Sequence, residues 1–397
     1  MHPARPKPLS HVRVLDLSQL LPGPMATLHL ADLGADVIRM GPVAESGEPE
    51  GGEGSPTDVR SVLALMLNRN KRAIRVDVKH PAGREIFLRL AAQADVIVEG
   101  FRPGVVDQLG IGYEAAHGVN PRIVYCSISG YGQTGPHRLR AGHDINYLAC
   151  AGVGDQIGVS GGPPAISNLQ IGDLLGGSLT AVMGILAALV DAQVHGKGRY
   201  IDVSMTDSVM AHAVLALATR TSSGRTAPRG EDLLSGGLPC YNYYRTQDGR
   251  YLAVGALEAK FWERLCDTVG RPDLKSKRMV RGADGQRVRD ELQSIFGARN
   301  SEEWLRMFRE VDCCVELVLT LDEAIASEQA RERQMAVETE YPGFGKLTLF
   351  GPPLRIEDVG FTADPRRCGG TQSEDILRAA GYGSGEIEAW RLAGVIG

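Results

Sequence analysis

What most constrains the fold is an alternation between Val12 and Ser204: short apolar runs trade places with segments of helical pattern. Val12–Leu17, Asp36–Met40, Ala73–Val78, Asp95–Val98, Arg122–Ile128 and Tyr200–Ser204 read as strands, being too short for helices and rich in branched residues. Met25–Leu33 reads as a helix stopped by Gly34, since glycine takes the left-handed conformation past a helix C-terminus at little cost. A second helix opens at Pro81 and runs to about Ala92. Proline suits the first helical position because its missing N–H would be unpaired there anyway. Strands alternating with helices imply βαβ units and a parallel sheet, hence an α/β fold.

The second half has another texture. Thr221–Gly237 is polar and glycine-rich and reads as a linker. Cys240–Tyr244 and Tyr251–Gly255 flank an Asp248-Gly249 turn, a hairpin signal. Charge-rich helical segments run from about Lys260 to Arg333, which predicts a smaller α+β domain. A stretch bearing Pro and Gly near Pro342–Pro353 leads to a helical tail, Ser373–Val395, and the Gly/Glu-rich Glu45–Ser55 reads as a surface loop. With 397 residues, 43% of them hydrophobic, the chain is long enough for two domains.

A net charge of -5 gives no basic field for nucleic acid, so an anionic ligand needs a local cluster of cations. Seven scattered cysteines without a C-x-x-C pair predict reduced thiols in a cytoplasmic protein, neither a disulfide framework nor a metal site. Met1–Ser10 holds three prolines and no apolar core, unlike a secretory signal. Leu174–Val190 is apolar but contains Gly176, Gly177, Ser178 and Gly184 and lies between Asp173 and Asp191, so a buried core helix is expected and no membrane span.

Gly130-Tyr131-Gly132-Gln133-Thr134-Gly135 follows a strand in the spacing of a dinucleotide loop. Pro136 and Arg138–Arg140 supply no helix to complete that motif, so it reads as an irregular glycine loop able to approach a ligand closely. Beside it, Gly142-His143-Asp144-Ile145-Asn146-Tyr147 gathers polar side chains. Taken singly, His143 reads as a structural histidine, Asp173 as the N-cap of the long apolar helix, and Glu258 as a loop acid after a strand. Spacing alone does not bring them together.

The motifs taken in order do. Leu21-Pro22-Gly23-Pro24, Leu33-Gly34-Ala35-Asp36-Val37-Ile38-Arg39, Asn68-Arg69-Asn70-Lys71-Arg72, Phe101-Arg102-Pro103-Gly104, Ser129–Pro136 and the tail around Asp375-Ile376-Leu377 resemble the family III CoA-transferases. The His143 segment, Gly172-Asp173-Leu174-Leu175-Gly176-Gly177-Ser178 and Gly255-Ala256-Leu257-Glu258 resemble its racemase branch, the α-methylacyl-CoA racemases. The chain departs from that branch at Gln108, where arginine is common, and at Gly369-Gly370-Thr371. The resemblance implies a Rossmann-like large domain of residues 1–220 with 340–397, a small α+β domain at 230–335, linkers at 221–229 and 336–345, and an interlocked homodimer.

It also implies roles. His143 and Asp173 would be the two proton-transfer bases, with Glu258 paired to His143. Inverting a carbon beside a thioester needs a proton removed from one face and returned to the other, which two flanking acid–base groups accomplish without a metal or redox cofactor. Asp173 at a helix N-terminus would lie among free backbone N–H groups, each worth about 3–4 kcal/mol to a developing enolate oxygen. Arg39, Lys71, Arg72 and Arg102 would meet the phosphates of coenzyme A, bound as part of the substrate, while Gly142, Asp144 and Tyr147 would line its site. Two rival readings are a CoA-transferase that forms an acyl anhydride on Asp173, and a non-catalytic CoA- or nucleotide-binding module.

Overall fold

A computed structural model describes residues 6–43, 57–341, 344–361, 363–364 and 372–397. Glu45–Ser55 and Gly369–Thr371 lie outside the described residues. The chain divides into two compact units, one of Met1–Leu148, Leu169–Met210 and Glu328–Gly397, the other of Ala149–Asn168 and Ala211–Ser327.

The first unit is built on six parallel strands, β1 (Arg13–Asp16), β2 (Asp36–Gly41), β3 (Arg72–Arg75), β4 (Val96–Glu99), β5 (Val124–Ser129) and β6 (Tyr200–Ser204). Their order is β3-β2-β1-β4-β5-β6. Progress along the chain reverses direction between β1 and β4, so their C-terminal ends border the crevice where open parallel sheets bind ligands. Helices α1 (Pro22–Asp32), α2 (Val59–Asn68), α3 (Pro81–Ala91), α4 (Val105–Leu109) and α5 (Tyr113–Val119) make the crossovers. Pro22 opens α1 three residues before the predicted start, and Gly34 follows it at φ +107°. The sequence reading missed α2, whose first turn is capped by the Asp58 carboxylate accepting from the Arg60 and Ser61 N–H groups.

Every residue of β4 and β5 is buried, as strands covered on both faces must be. One face sets Leu15, Ile97 and Tyr125 against Ile86, Phe87 and Leu90 of α3 and Ile376 and Leu377 of the tail helix Ser373–Ala379. The other sets Val14, Val98 and Cys126 against Leu30 of α1 and Ala181, Ile185 and Ala188 of a long helix described below. The range expected as a linker at 336–345 instead carries strand β10 (Ala336–Tyr341), paired antiparallel with β11 (Gly345–Phe350); β7 to β9 lie earlier, in the second unit. Tyr341 and Leu349 of this ribbon pack with Leu65 of α2.

The second unit has an antiparallel sheet of β7 (Tyr241–Arg245), β8 (Tyr251–Gly255) and β9 (Val315–Leu317). Its hairpin turns at Gly249 (φ +79°), as the Asp-Gly pair predicted. Trp262, Leu265, Leu292, Phe296 and Trp304 form the core beneath it. The stretch read as a linker from Thr221 begins inside a helix, Val214–Ser223.

Candidate active site

Helix α6 (Asp144–Cys150) starts immediately after His143. The turn before it is tightly held. The His143 carbonyl accepts the Asn146 N–H at 2.8 Å and the Tyr147 N–H at 3.2 Å, and the His143 N–H donates to Asn146 Oδ1 at 3.0 Å. Tyr147 is buried and donates its hydroxyl proton to the Gly142 carbonyl. Burial, with the charge of Asp173 adding to it, pushes that phenol up to about 12, so it stays a donor. Gly130 and Gly142 are glycines because of this ring: a Cβ on either would sit 2.2 Å or 2.8 Å from Tyr147 Cε1. His143 itself is exposed.

Asp173 is the second residue of a π-helical segment, Gly172–Leu179, that continues into α7 (Thr180–His195). It is therefore not the N-cap predicted from sequence; Ile171 holds that place. The free backbone donors expected around it are also partly spent. The Asp173 N–H donates to Asp144 Oδ1 at 3.0 Å, and the Leu174 N–H to the Gln170 carbonyl at 2.9 Å. Widened π turns that interrupt α-helices are frequent at functional sites. Here the widening seats Gly176 against Met205 and Val209, and Gly177 against Pro22 and Met205. Burial pushes the Asp173 carboxyl up to about 6; the negative charge of Asp144 adds to the rise and His143 opposes it. Thus the structure brings His143, Asp144, Tyr147 and Asp173 into one cluster.

Two of the four cations predicted for phosphate are committed elsewhere. Lys71 is buried, and its ammonium donates to Asp16 Oδ2 at 3.1 Å, the Pro24 carbonyl at 2.8 Å and Thr27 Oγ1 at 2.7 Å. All three of its protons are used, so it has none for a phosphate. Arg72 makes a two-pronged ion pair with Asp36, through Nε at 2.9 Å and Nη2 at 2.5 Å. Arg39 lies within β2 in register with Asp16 of β1, and its charge adds to the burial that lowers the Lys71 pKa. Arg102 is exposed in the loop after β4, and Gln108 is exposed in α4.

Glu99, the last residue of β4, was not singled out from the sequence. Its carboxyl is buried, accepts the Phe101 N–H at 2.7 Å and is pushed by burial up to about 7. The available signal was a charged residue ending an otherwise apolar Val-Ile-Val run at a strand's C-terminus.

In the second unit, Glu258 follows β8 as the N-cap of α10 (Ala259–Thr268; α8 is Met205–His212 and α9 is Val214–Ser223). Its exposed side chain makes no capping bond. A cavity of ≈ 630 Å³ in the same unit is lined by Ser160, Gly236, Tyr243, Gly255 and Arg289 among others.

Residues 9–367 match the profile of CoA-transferase family III. Human α-methylacyl-CoA racemase is 35% identical over 383 residues, covering 96% of this chain and 95% of that protein. Mouse succinyl-CoA:glutarate CoA-transferase is 34% identical over 399 residues, covering 98% of this chain and 90% of that protein. A crystal structure of a CAIB/BAIF family protein from Brucella suis superimposes with a TM-score of 0.78 at 26% identity, covering 94% of this chain and 99% of that one. With the profile spanning nearly its whole length, the chain belongs to CoA-transferase family III.

Proposed function

We propose that the protein is a racemase of 2-methyl-branched acyl-CoA thioesters. The observation that supports this reading is the pairing of an imidazole, His143, with a carboxyl, Asp173, whose affinity for a proton has risen to about 6. A base that must both take and return a proton works best when its pKa lies near the working pH. His143 takes the α-proton from one face of the thioester, and Asp173 supplies one to the other. The order reverses for the opposite enantiomer. By its motif, Glu258 takes the role of stabilising the cationic form of the imidazole. Arg39 and Arg102 hold the coenzyme A phosphates, and the Gly142–Tyr147 turn frames the thioester end.

A transferase reading remains the alternative, because relatives of that activity are nearly as similar. There Asp173 attacks the thioester carbonyl as a nucleophile and His143 has no necessary part. Exchange of the α-proton tells them apart. With His143→Ala, the enantiomer served by Asp173 should still lose its α-proton to solvent without inversion, and Asp173→Asn should show the reverse. Near-native racemisation of both enantiomers by His143→Ala would end the two-base assignment.

We propose further that the protein works as an interlocked homodimer in the cytoplasm. α7 buries Ala181, Ile185 and Ala188 but leaves Met183, Val190 and Val194 more than half exposed, an apolar face suited to a second copy. Gly172–His195 has the length and apolarity to cross a membrane, but its inner face packs on the sheet. Among the described residues, six cysteines are unpaired, as in a reducing compartment.

A further inference from the structure

Two turns carry the reacting groups, and one side chain joins them. Asp144 stands next to His143 on the first turn, and its Oδ1 accepts the N–H of Asp173 on the second at 3.0 Å. The contact is close-packed: a Cβ on Gly172 would lie 2.9 Å from that same oxygen. The His143 turn is itself pinned by Asn146 and by Tyr147, whose ring meets Tyr131 edge-on at 5.3 Å. A backbone N–H held by a carboxylate is among the stronger and more directional bonds available.

We propose that Asp144 is a positioning residue, clamping the turn that bears Asp173 onto the turn that bears His143 so that the two reacting groups keep one separation. This rests on Asp173 carrying the chemistry, and it holds whether Asp173 acts as a base or as a nucleophile. The clamp has an electrostatic consequence. Its negative charge adds to burial in raising the Asp173 pKa, while His143 opposes it and Tyr147 stays neutral. Asp144 and His143 are the charged groups that act on the Asp173 carboxyl, while Gly176 and Gly177 of the π segment lie against Pro22, Met205 and Val209.

Two substitutions separate the clamp from its charge. Asp144→Asn keeps an acceptor oxygen and removes the charge; Asp144→Ala removes both. The readouts are the Asp173 titration, followed by carboxyl ¹³C NMR on aspartate-labelled protein with Asp173→Asn assigning the signal, and the pH profile of kcat. In Asp144→Asn the Asp173 titration should move below about 6 toward the ordinary carboxylate range. In Asp144→Ala kcat should fall about 100-fold through misplacement of the reacting groups. Asparagine should recover at least tenfold of that loss, with the acidic limb of its profile displaced to lower pH. An unmoved Asp173 titration in Asp144→Asn, or full kcat in Asp144→Ala, would overturn the proposal. If the unaltered protein neither racemises nor transfers CoA, the functional reading fails, and the NMR titration still decides the clamp.

Discussion

Replacing Lys71 by methionine removes an ammonium while keeping most of the side chain's volume, and it separates two roles for this residue. In the structure Lys71 and Asp16 are 1% and 0% exposed at their side chains. Burial pushes the Asp16 carboxyl upward, but the Lys71 charge and the Ser18 and Thr27 hydroxyls more than offset this, and its pKa ends below the ordinary value. Without Lys71 the carboxylate keeps those two hydroxyls and the Ser18 N–H at 3.0 Å, and loses its only counter-charge among the partners seen here. Stranding one half of a buried pair costs about 3–5 kcal/mol. In a domain of this size that lowers the melting temperature by on the order of 10 °C. Asp16→Leu with Lys71→Met should recover at least half of the loss, because the pair is then replaced by apolar groups. Thr27 still has the Gly23 and Pro24 carbonyls at 3.2 Å. The assay is thermal unfolding by circular dichroism, run beside CoA titrations at low and high salt. A melting temperature unchanged in Lys71→Met, together with weaker and less salt-sensitive CoA binding, would refute the structural role and restore the phosphate contact read from sequence.

Other consequences follow from the same geometry. Arg39→Gln and Arg102→Gln should each weaken CoA binding about tenfold and flatten its salt dependence, measured by isothermal titration. Asp173 has a raised pKa, so its ionised form opposes folding increasingly as pH climbs from the ordinary carboxylate value through about 6. Asp173→Asn should therefore stabilise the protein at pH 8, by about 1 kcal/mol once its partial exposure is allowed for, and by almost nothing at pH 4, as chemical denaturation would show. Gly130→Ala places a methyl 2.2 Å from the Tyr147 ring and should cost about 1–3 kcal/mol in the same experiment, with loss of turnover as the His143 turn shifts. Dilution should yield no folded monomer by light scattering, since interlocked rings cannot part without opening.

The strands of the parallel sheet were legible because each buried run is continuous in sequence: Val96–Glu99 and Val124–Ser129 are apolar enough to declare themselves. The β10–β11 ribbon was not, because Pro342 and Gly343, which fall between its two strands in sequence, look like a linker. The alternation of Glu338 and Glu340 with Val337, Thr339 and Tyr341 was the overlooked signal. Lys71 reads as a phosphate contact from its motif, Asn68-Arg69-Asn70-Lys71-Arg72, and only its tertiary partner Asp16 makes it structural. The bond from Asp173 to Asp144 has no local signature at all, since it joins two helix starts from different parts of the chain. The three proposed catalytic residues were found through motif resemblance; spacing alone left each of them with an ordinary structural explanation.

The most direct test of the central claim is one incubation: a single enantiomer of a 2-methylacyl-CoA with the protein in D₂O, in the presence of a second carboxylic acid. The two-base account predicts deuterium at the α-carbon, a product mixture of both configurations, and CoA remaining on the original acid. Retained configuration without deuterium, with CoA moved to the second acid, would contradict it and make Asp173 a nucleophile.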